Sequence, residues 1–323
     1  MGTAVRAKRL SSELKFKLVE NKREVSGRPS KRGLTLLVLL LIAASTIAGQ
    51  PAQSMSSETA GRLKQQIQKG SSEEKRSALS EIRKFRSPEA SSIAVPALRD
   101  ADLMVRATAT ASVVYLPKKD AARALIPLLS DKDEFVRQET AYALGRVGDA
   151  SSTANLISSM QRDKSRQVRT AAAVALGSTG DMSAVESLLA ILRTRPREDD
   201  EFLRRSAARS IGQIAQIIET GDRSVLTPQN YLPDKYKKLD NSSTTLAGFG
   251  AAVPVLISVL QNTAEPDDSR REAAFALGAI GDEKAVPTLR TYVSSSDTYM
   301  AEIAREALAK IDNRKKKAAS DKK

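Results

Sequence analysis

The sequence of 323 residues contains no cysteine and no histidine. Thiol nucleophiles and Ser-His-Asp triads are therefore excluded, and most zinc, haem and iron sites would lack their usual ligands. Disulfide bonds are excluded as well, so cysteine usage says nothing about the redox compartment. We predict a chain that is not an enzyme and that carries no cofactor and no metal.

Aromatic residues are scarce, and tryptophan is absent. Aromatics make up 4% of the chain, whereas hydrophobic residues as a whole make up 41%. A core of this composition has to be built from alanine, leucine, isoleucine and valine. Side chains of this size favour helices that lie close together.

Positive charge is concentrated at the two ends of the chain. Of the net charge of +14, residues 1–49 carry +7 and residues 310–323 carry +5, which leaves +2 for residues 50–309. A nucleic-acid-binding surface usually runs along the fold itself, so this distribution disfavours nucleic acid as the partner. We predict that residues 314–323 form a basic disordered tail. Contact of the basic ends with an anionic membrane or nucleic acid stays an alternative function.

An apolar run, LTLLVLLLIAASTIA, occupies residues 34–48 and follows a basic segment at 1–33. A basic segment, an apolar run and small closing residues are typical of a secretory signal. The run is shorter than the roughly 20 residues of a comfortable membrane span. We predict export to the periplasm or outside the cell, with cleavage after Ser45 or Ala48. The alternatives are an anchor at 34–49 in the inner membrane, with the rest of the chain outside, and a buried helix.

A unit of about 31 residues repeats along the rest of the chain. The clearest copies are VRQETAYALGRVGD (136–149), VRTAAAVALGSTGD (168–181) and SRREAAFALGAIGD (269–282). The second residues of all seven copies are spaced by 31, 31, 32, 35, 66 and 31 positions: Lys75, Arg106, Arg137, Arg169, Arg204, Arg270 and Ala301. Repeats of this length indicate a solenoid.

Each unit has the pattern of two helices. In the third unit, the first helix follows a 3.6-residue period over 136–147, Gly145 and Gly148 mark its end, and Asp149 is placed to cap the second helix. The second helix often carries proline, which we expect in its first turn, at Pro96, Pro127, Pro254 and Pro287.

One helix pair cannot bury its apolar face alone, but stacked pairs can. We therefore predict an all-α, right-handed solenoid over 72–313. It consists of six helix pairs from about 72 to 295 and a closing helix at about 297–313. A linker and a capping helix, at about 57–69, occupy residues 50–71 before the first pair.

The units resemble the HEAT-like repeat first described in phycobilin lyases. The resemblance rests on a V-R opening, A-x-x-A-L-G-x-x-G-D and a V-P-x-L helix, visible in part in 136–161 and 269–293. It implies the solenoid fold. It also implies one of several roles, because such proteins include lyases, a metal-dependent hydroxylase that uses His-Glu pairs, and many binding proteins. The absence of histidine argues against the hydroxylase role.

The recurring arginine is predicted to be structural. In proteins with this repeat, it usually pairs with acidic residues in or next to its own unit, which forms a ladder along the solenoid. The resemblance implies this ladder for Arg106, Arg137, Arg169, Arg204 and Arg270, with Asp149, Asp181 and Asp282 among the available partners. Direct contact with a ligand stays an alternative.

The 66-residue spacing predicts an insertion at 217–249, between the two helices of the fifth unit. Insertions in repeat arrays often lie on the binding face. Aromatic and basic residues gather here, and such residues are frequent at protein interfaces. The candidate partner-binding residues are Tyr231, Lys235, Tyr236, Lys237, Lys238 and Phe249. The alternative is an insert whose aromatics pack back on the solenoid.

We predict a non-catalytic scaffold or adaptor that binds a protein partner in the cell envelope. A lyase-like or lyase-accessory protein is an alternative function. The sequence does not identify the partner.

Overall fold

The computed structural model describes residues 54–221 and 248–320. The predicted signal at 34–48 and most of the predicted insertion lie outside these residues. The described residues form fourteen α-helices with short 3₁₀ turns and no strand. Within this part of the chain, no helix is both long enough and apolar enough to cross a bilayer.

The helices follow one another as antiparallel pairs. They are α1 Ser57–Lys69, α2 Ser72–Phe85, α3 Pro88–Ala94, α4 Leu103–Ser112, α5 Lys118–Leu125, α6 Glu134–Val147, α7 Thr153–Arg162, α8 Arg166–Thr179, α9 Val185–Arg193, α10 Glu201–Thr220, α11 Ala252–Gln261, α12 Asp267–Ile280, α13 Val286–Thr291 and α14 Thr298–Ser320. Units one to six are α2/α3, α4/α5, α6/α7, α8/α9, α10/α11 and α12/α13. The predicted six pairs, the preceding helix and the closing helix are confirmed.

The ends of the first helices are set by local residues. The side chain of Asp133 accepts a hydrogen bond from the N–H of Phe135 and caps the start of α6. The helix ends at Gly148, which has a φ of 61° that glycine adopts without strain. Gly145 was predicted to belong to this ending as well, but it lies inside α6. The prediction is wrong for Gly145, whose role is described below.

Proline does not always lie where the repeat pattern placed it. Pro287 begins the second helix of unit six as predicted. Pro96 and Pro127 instead lie at the end of the second helices of units one and two, where α3 and α5 change into 3₁₀ turns. Proline has no N–H to continue the α-helical bonding, so the tighter turn forms there. The prediction that proline lies in the first turn of the second helix is therefore wrong for Pro96 and Pro127.

Neighbouring first helices pack directly on one another along the array. Glycine allows their backbones to approach. A Cβ atom added at Gly145 would lie 3.0 Å from the Cα of Ala175, and one at Gly212 would lie 2.8 Å from the Cα of Ala276. At Gly278 the corresponding distance, to the Cα of Ala307, is 2.6 Å. The alanine-rich composition is thus used at the contacts between first helices.

The closing helix α14 continues through Ser320, beyond the predicted end at 313. Arg314 bonds to the carboxylate of Glu219 on α10 and donates to the carbonyl oxygen of Ala279, at 2.7 Å. These contacts hold the helix against units five and six. The prediction of a disordered tail is therefore wrong for residues 314–320.

Candidate functional site

The recurring arginines form a ladder that joins each unit to the next. The side chain of Arg106 makes two hydrogen bonds to Asp131, of 2.8 and 2.9 Å, and donates to the backbone carbonyls of residues 100 and 101. Arg137 repeats the arrangement with Asp163, at 2.7 and 3.0 Å. Each arginine therefore connects the loop before its helix with the loop that ends its unit. Planar two-bond pairing of this kind is specific to arginine.

The acidic partners differ from those predicted. Asp149, Asp181 and Asp282 each cap the turn after a first helix, where they accept from the N–H groups of Ser151, Ser183 and Lys284. They cannot reach the ladder, because Arg137 lies in the first turn of α6 and Asp149 follows the last turn. A helix rises about 1.5 Å per residue, so twelve residues separate them by about 18 Å. The predicted aspartate partners are therefore wrong, although the ladder itself is present.

The ladder varies from unit to unit. Arg204 is buried and bonds to both carboxylate oxygens of Glu265, while it also donates to carbonyls at the end of α9. Arg169 lies 3.7 Å from Asp200, which also pairs with Arg197. Of these two pairs, Arg204 with Glu265 is the more strongly bonded and Arg169 with Asp200 the more weakly bonded.

In unit six the role of the arginine is divided between two neighbours. Arg270 donates to the carbonyl of Leu260 at 3.1 Å, whereas Arg271 makes the pair with Asp297 at 2.8 Å. Arg270 does bond to a carboxylate of its own unit, that of Asp267 at 3.1 Å, but the pair with the loop that ends the unit is made by Arg271 instead.

The ladder lowers the pKa of its carboxylates. Burial alone would raise the pKa of Asp131, but hydrogen bonds from Arg106 and from the N–H of Asp133 outweigh it and lower the pKa below its usual value. Asp163 shows the same balance with Arg137 and Ser165. Arg106, Arg137 and their aspartates are therefore bonded to internal partners, which supports a structural role for them.

A different set of residues on the first helices faces solvent. Two positions before the ladder residue, units two, three and five and the closing helix carry Met104, Phe135, Phe202 and Tyr299. All four are exposed, Phe202 and Tyr299 by 68% and 62%. Equivalent positions of stacked repeats line up along a solenoid, so these side chains form a row.

In units two to four most side chains along this row are uncharged, although Glu139 lies between Phe135 and Tyr142 on α6 and Arg166 lies one turn before Thr170 on α8. Tyr142 and Val174, five positions after Arg137 and Arg169, are exposed as well. We call the following residues the uncharged face: Met104, Phe135, Gln138, Tyr142, Gln167, Thr170 and Val174. None of them is charged, although 28% of the residues in the chain are. Exposed apolar side chains that gather on one face are typical of an interaction surface.

In units five and six, the equivalent positions are mostly charged. Arg205 and Arg209 on α10 approach Glu272 on α12 to 3.9 and 3.6 Å, and Arg205 also lies 3.0 Å from Asp268. Glu272 is buried. Its burial raises the pKa to about 7, although Arg209 and Arg205 act in the opposite direction. One of its oxygens, Oε2, has no hydrogen-bond partner among the described residues.

Two families of repeats match the sequence. HEAT repeats match residues 97–177 and 253–320, and the PBS lyase HEAT-like repeat matches residues 168–194. The chain therefore contains HEAT repeats. The predicted family resemblance and fold class are therefore confirmed.

Several solved structures are similar to this chain. An engineered protein is 18% identical with a TM-score of 0.48, and the match covers 78% of this chain and 68% of that one. The complex of CpcE and CpcF of phycocyanin lyase from Nostoc sp. PCC7120 is 20% identical with a TM-score of 0.43, covering 82% and 98%. Human deoxyhypusine hydroxylase is 17% identical with a TM-score of 0.35, covering 94% and 99%. No curated protein sequence matches the chain.

The predicted partner-binding residues are only partly placed by the structure. Tyr231, Lys235, Tyr236, Lys237 and Lys238 lie outside the described residues. Phe249 is fully buried in the core of the HEAT array. An aromatic ring in this position cannot contact a partner, so the prediction is wrong for Phe249. The predicted insertion also begins later than 217, because residues 217–220 complete α10.

The exposed row was missed at the sequence level, although a signal was present. Large apolar residues recur two positions before the ladder arginine, outside the pattern that fills the core. Only the stacking of the first helices shows that these residues are exposed.

Within residues 54–221 and 248–320, no three carboxylates gather as a metal site would require.

Proposed function

We propose that this chain is a non-catalytic scaffold that binds a protein partner in the cell envelope. The observation that carries the proposal is the uncharged face. Phe135 and Tyr142 on α6 and Val174 on α8 leave more than a third of their surface exposed. Burying such side chains against a partner would be favourable, because apolar surface leaves water and aromatic rings make large contacts.

The face belongs to a rigid scaffold. The first helices that carry it are held by close glycine contacts and by the arginine ladder, so little order has to be gained on binding. Pre-organised surfaces bind with a smaller entropic cost. Export is supported by the sequence alone, through the apolar run at 34–48 and the basic segment before it.

The function is tested with a triple variant of the full chain, F135Q/Y142Q/V174Q. Wild type and variant are cross-linked in cells, the cell envelope is separated from the cytosol, and the captured proteins are identified. We expect the wild type in the envelope fraction and a loss of captured partner of about tenfold or more in the triple variant. Three anchors at about 1 kcal/mol each are sufficient for this loss.

The matched control is V95Q, because Val95 is similarly exposed, at 37%, but belongs to the turn that follows the second helix α3. It should capture as the wild type does, and circular dichroism should show all three proteins equally helical. Equal capture by the triple variant would refute the role of the uncharged face. Recovery of the protein from the cytosol alone would refute export, and a coloured chromophore that co-purifies would favour the lyase-related alternative.

A further inference from the structure

The charged end of the first-helix row contains polar groups that lack partners. Arg209 contacts Glu272 at 3.6 Å and makes no hydrogen bond to any described residue. The Oε2 atom of Glu272 has no hydrogen-bond partner among these residues either. Buried polar groups are normally satisfied, so the unpaired oxygen of Glu272 requires an explanation.

The arrangement favours an anionic ligand. Arg205 and Arg209 lie four residues apart, which places them on one stripe of α10. The two arginines are 29% and 21% exposed, so their donors reach solvent. A carboxylate offers two acceptor atoms in the planar geometry that guanidinium groups match.

Glu272 makes this site dependent on its protonation. When it is ionised, it supplies the negative charge that the two arginines face. When it is protonated, Arg205 keeps the carboxylate of Asp268 and Arg209 keeps none among the described residues, and the carboxyl O–H can donate to a bound carboxylate. From α14, on the other side of α12, Lys310 lies over the ring of Phe275 and pairs with Glu306.

We propose that Arg205, Arg209 and Glu272 bind an acidic side chain of the partner polypeptide, next to apolar side chains that cover the uncharged face. This inference rests on the proposed function. Apolar side chains of the partner are expected next to the acidic one because apolar surface lies beside the two arginines. Phe202 lies one turn before Arg205 on the same helix, and α8, which carries Val174, packs against α10. A partner that is complementary to both regions carries an aspartate or glutamate beside large apolar residues.

The test is a selection from a library of random heptapeptides displayed on phage, against the full chain at pH 6. We expect enrichment of apolar residues together with aspartate or glutamate. In the double variant R205Q/R209Q the acidic enrichment should disappear while the apolar enrichment remains. R193Q/R290Q is the matched control, since both arginines are exposed on second helices, and it should select as the wild type does.

The role of Glu272 is tested with one selected peptide and its Glu-to-Gln or Asp-to-Asn counterpart, by fluorescence anisotropy. At pH 6, wild type should bind the acidic peptide about tenfold more tightly than it binds the amide counterpart, since hydrogen bonds to charged groups are strong. This preference should shrink at pH 8.5, whereas E272Q, which never ionises, should keep it.

Each outcome decides the proposal. Apolar enrichment without acidic enrichment, or acidic enrichment that survives in R205Q/R209Q, would overturn the carboxylate site and leave the proposed function intact. A library that yields no peptide at all would count against both. A preference that is the same at both pH values would overturn the part assigned to Glu272.

Discussion

Replacing Glu272 by glutamine changes how the stability of the solenoid depends on pH. Burial raises the pKa of this carboxyl from 4.5 to about 7. In the unfolded chain the group loses its proton near 4.5, and in the folded chain it keeps it until about 7. The folded state therefore binds more protons between these values, and the free energy of unfolding falls as the pH rises through this window.

The size of the effect follows from the two pKa values. Each pH unit between them is worth about 1.4 kcal/mol, so wild type should lose up to about 3 kcal/mol between pH 4.5 and pH 7. Glutamine cannot ionise. The variant E272Q should lack this loss, while any fixed cost of a buried amide without an acceptor, about 1 kcal/mol, applies equally at every pH.

The assay is urea unfolding followed by circular dichroism between pH 4.5 and pH 8.5. The free energy of unfolding of E272Q minus that of wild type should rise by about 2–3 kcal/mol across the range. The matched control is E139Q, since Glu139 takes the equivalent position in unit three but is only half-buried, and its difference should rise by less. A difference for E272Q that stays flat with pH would refute the argument that Glu272 is buried at a cost.

Two further pairs of variants test the ladder and the helix contacts, both by the urea midpoint. R204M should destabilise the solenoid by about 3 kcal/mol or more, because Glu265 is left buried and unpaired. R169M should cost less than about 1 kcal/mol, because Asp200 keeps its pair with Arg197. Equal losses in the two variants would contradict a ladder whose pairs differ in strength. G278A should destabilise by about 1–3 kcal/mol, because its Cβ would lie 2.6 Å from the Cα of Ala307. G61A should stabilise by up to about 1 kcal/mol, because Gly61 lies in α1 with no atom within 4 Å of an added Cβ; a gain at Gly278 would contradict the close approach.

The fold could be predicted from the sequence because a repeat reports the same structure several times. The spacing from Arg106 through Arg169 shows the period, and the 3.6-residue pattern over 136–147 shows which side of the first helix is buried. The contacts between units could not be predicted in the same way. A period says that Arg137 has an acidic partner, but it does not say at which end of its helix the partner lies.

The candidate site was harder to predict for a related reason. An apolar residue such as Phe135 satisfies the composition of a core as well as that of a surface, and only the stacked helices show that it is exposed. Phe249 is the opposite case. It lies in a segment rich in turn residues, which favours a surface position, yet it is buried in the core because the chain re-enters the array there.

Within each first helix, different positions form the core contacts, the ladder and the exposed surface, which explains how one repeat carries two kinds of surface. The inward positions are fixed by glycine and alanine contacts, and the loop ends are fixed by the ladder, so neither depends on the outward positions. Unit three can therefore present Phe135 and Tyr142 where unit five presents Phe202 and Arg209, with the same backbone beneath. A partner that lies along the row would meet apolar contacts over units two to four and charge over units five and six, so its orientation on the solenoid would be fixed by where its acidic side chain lies.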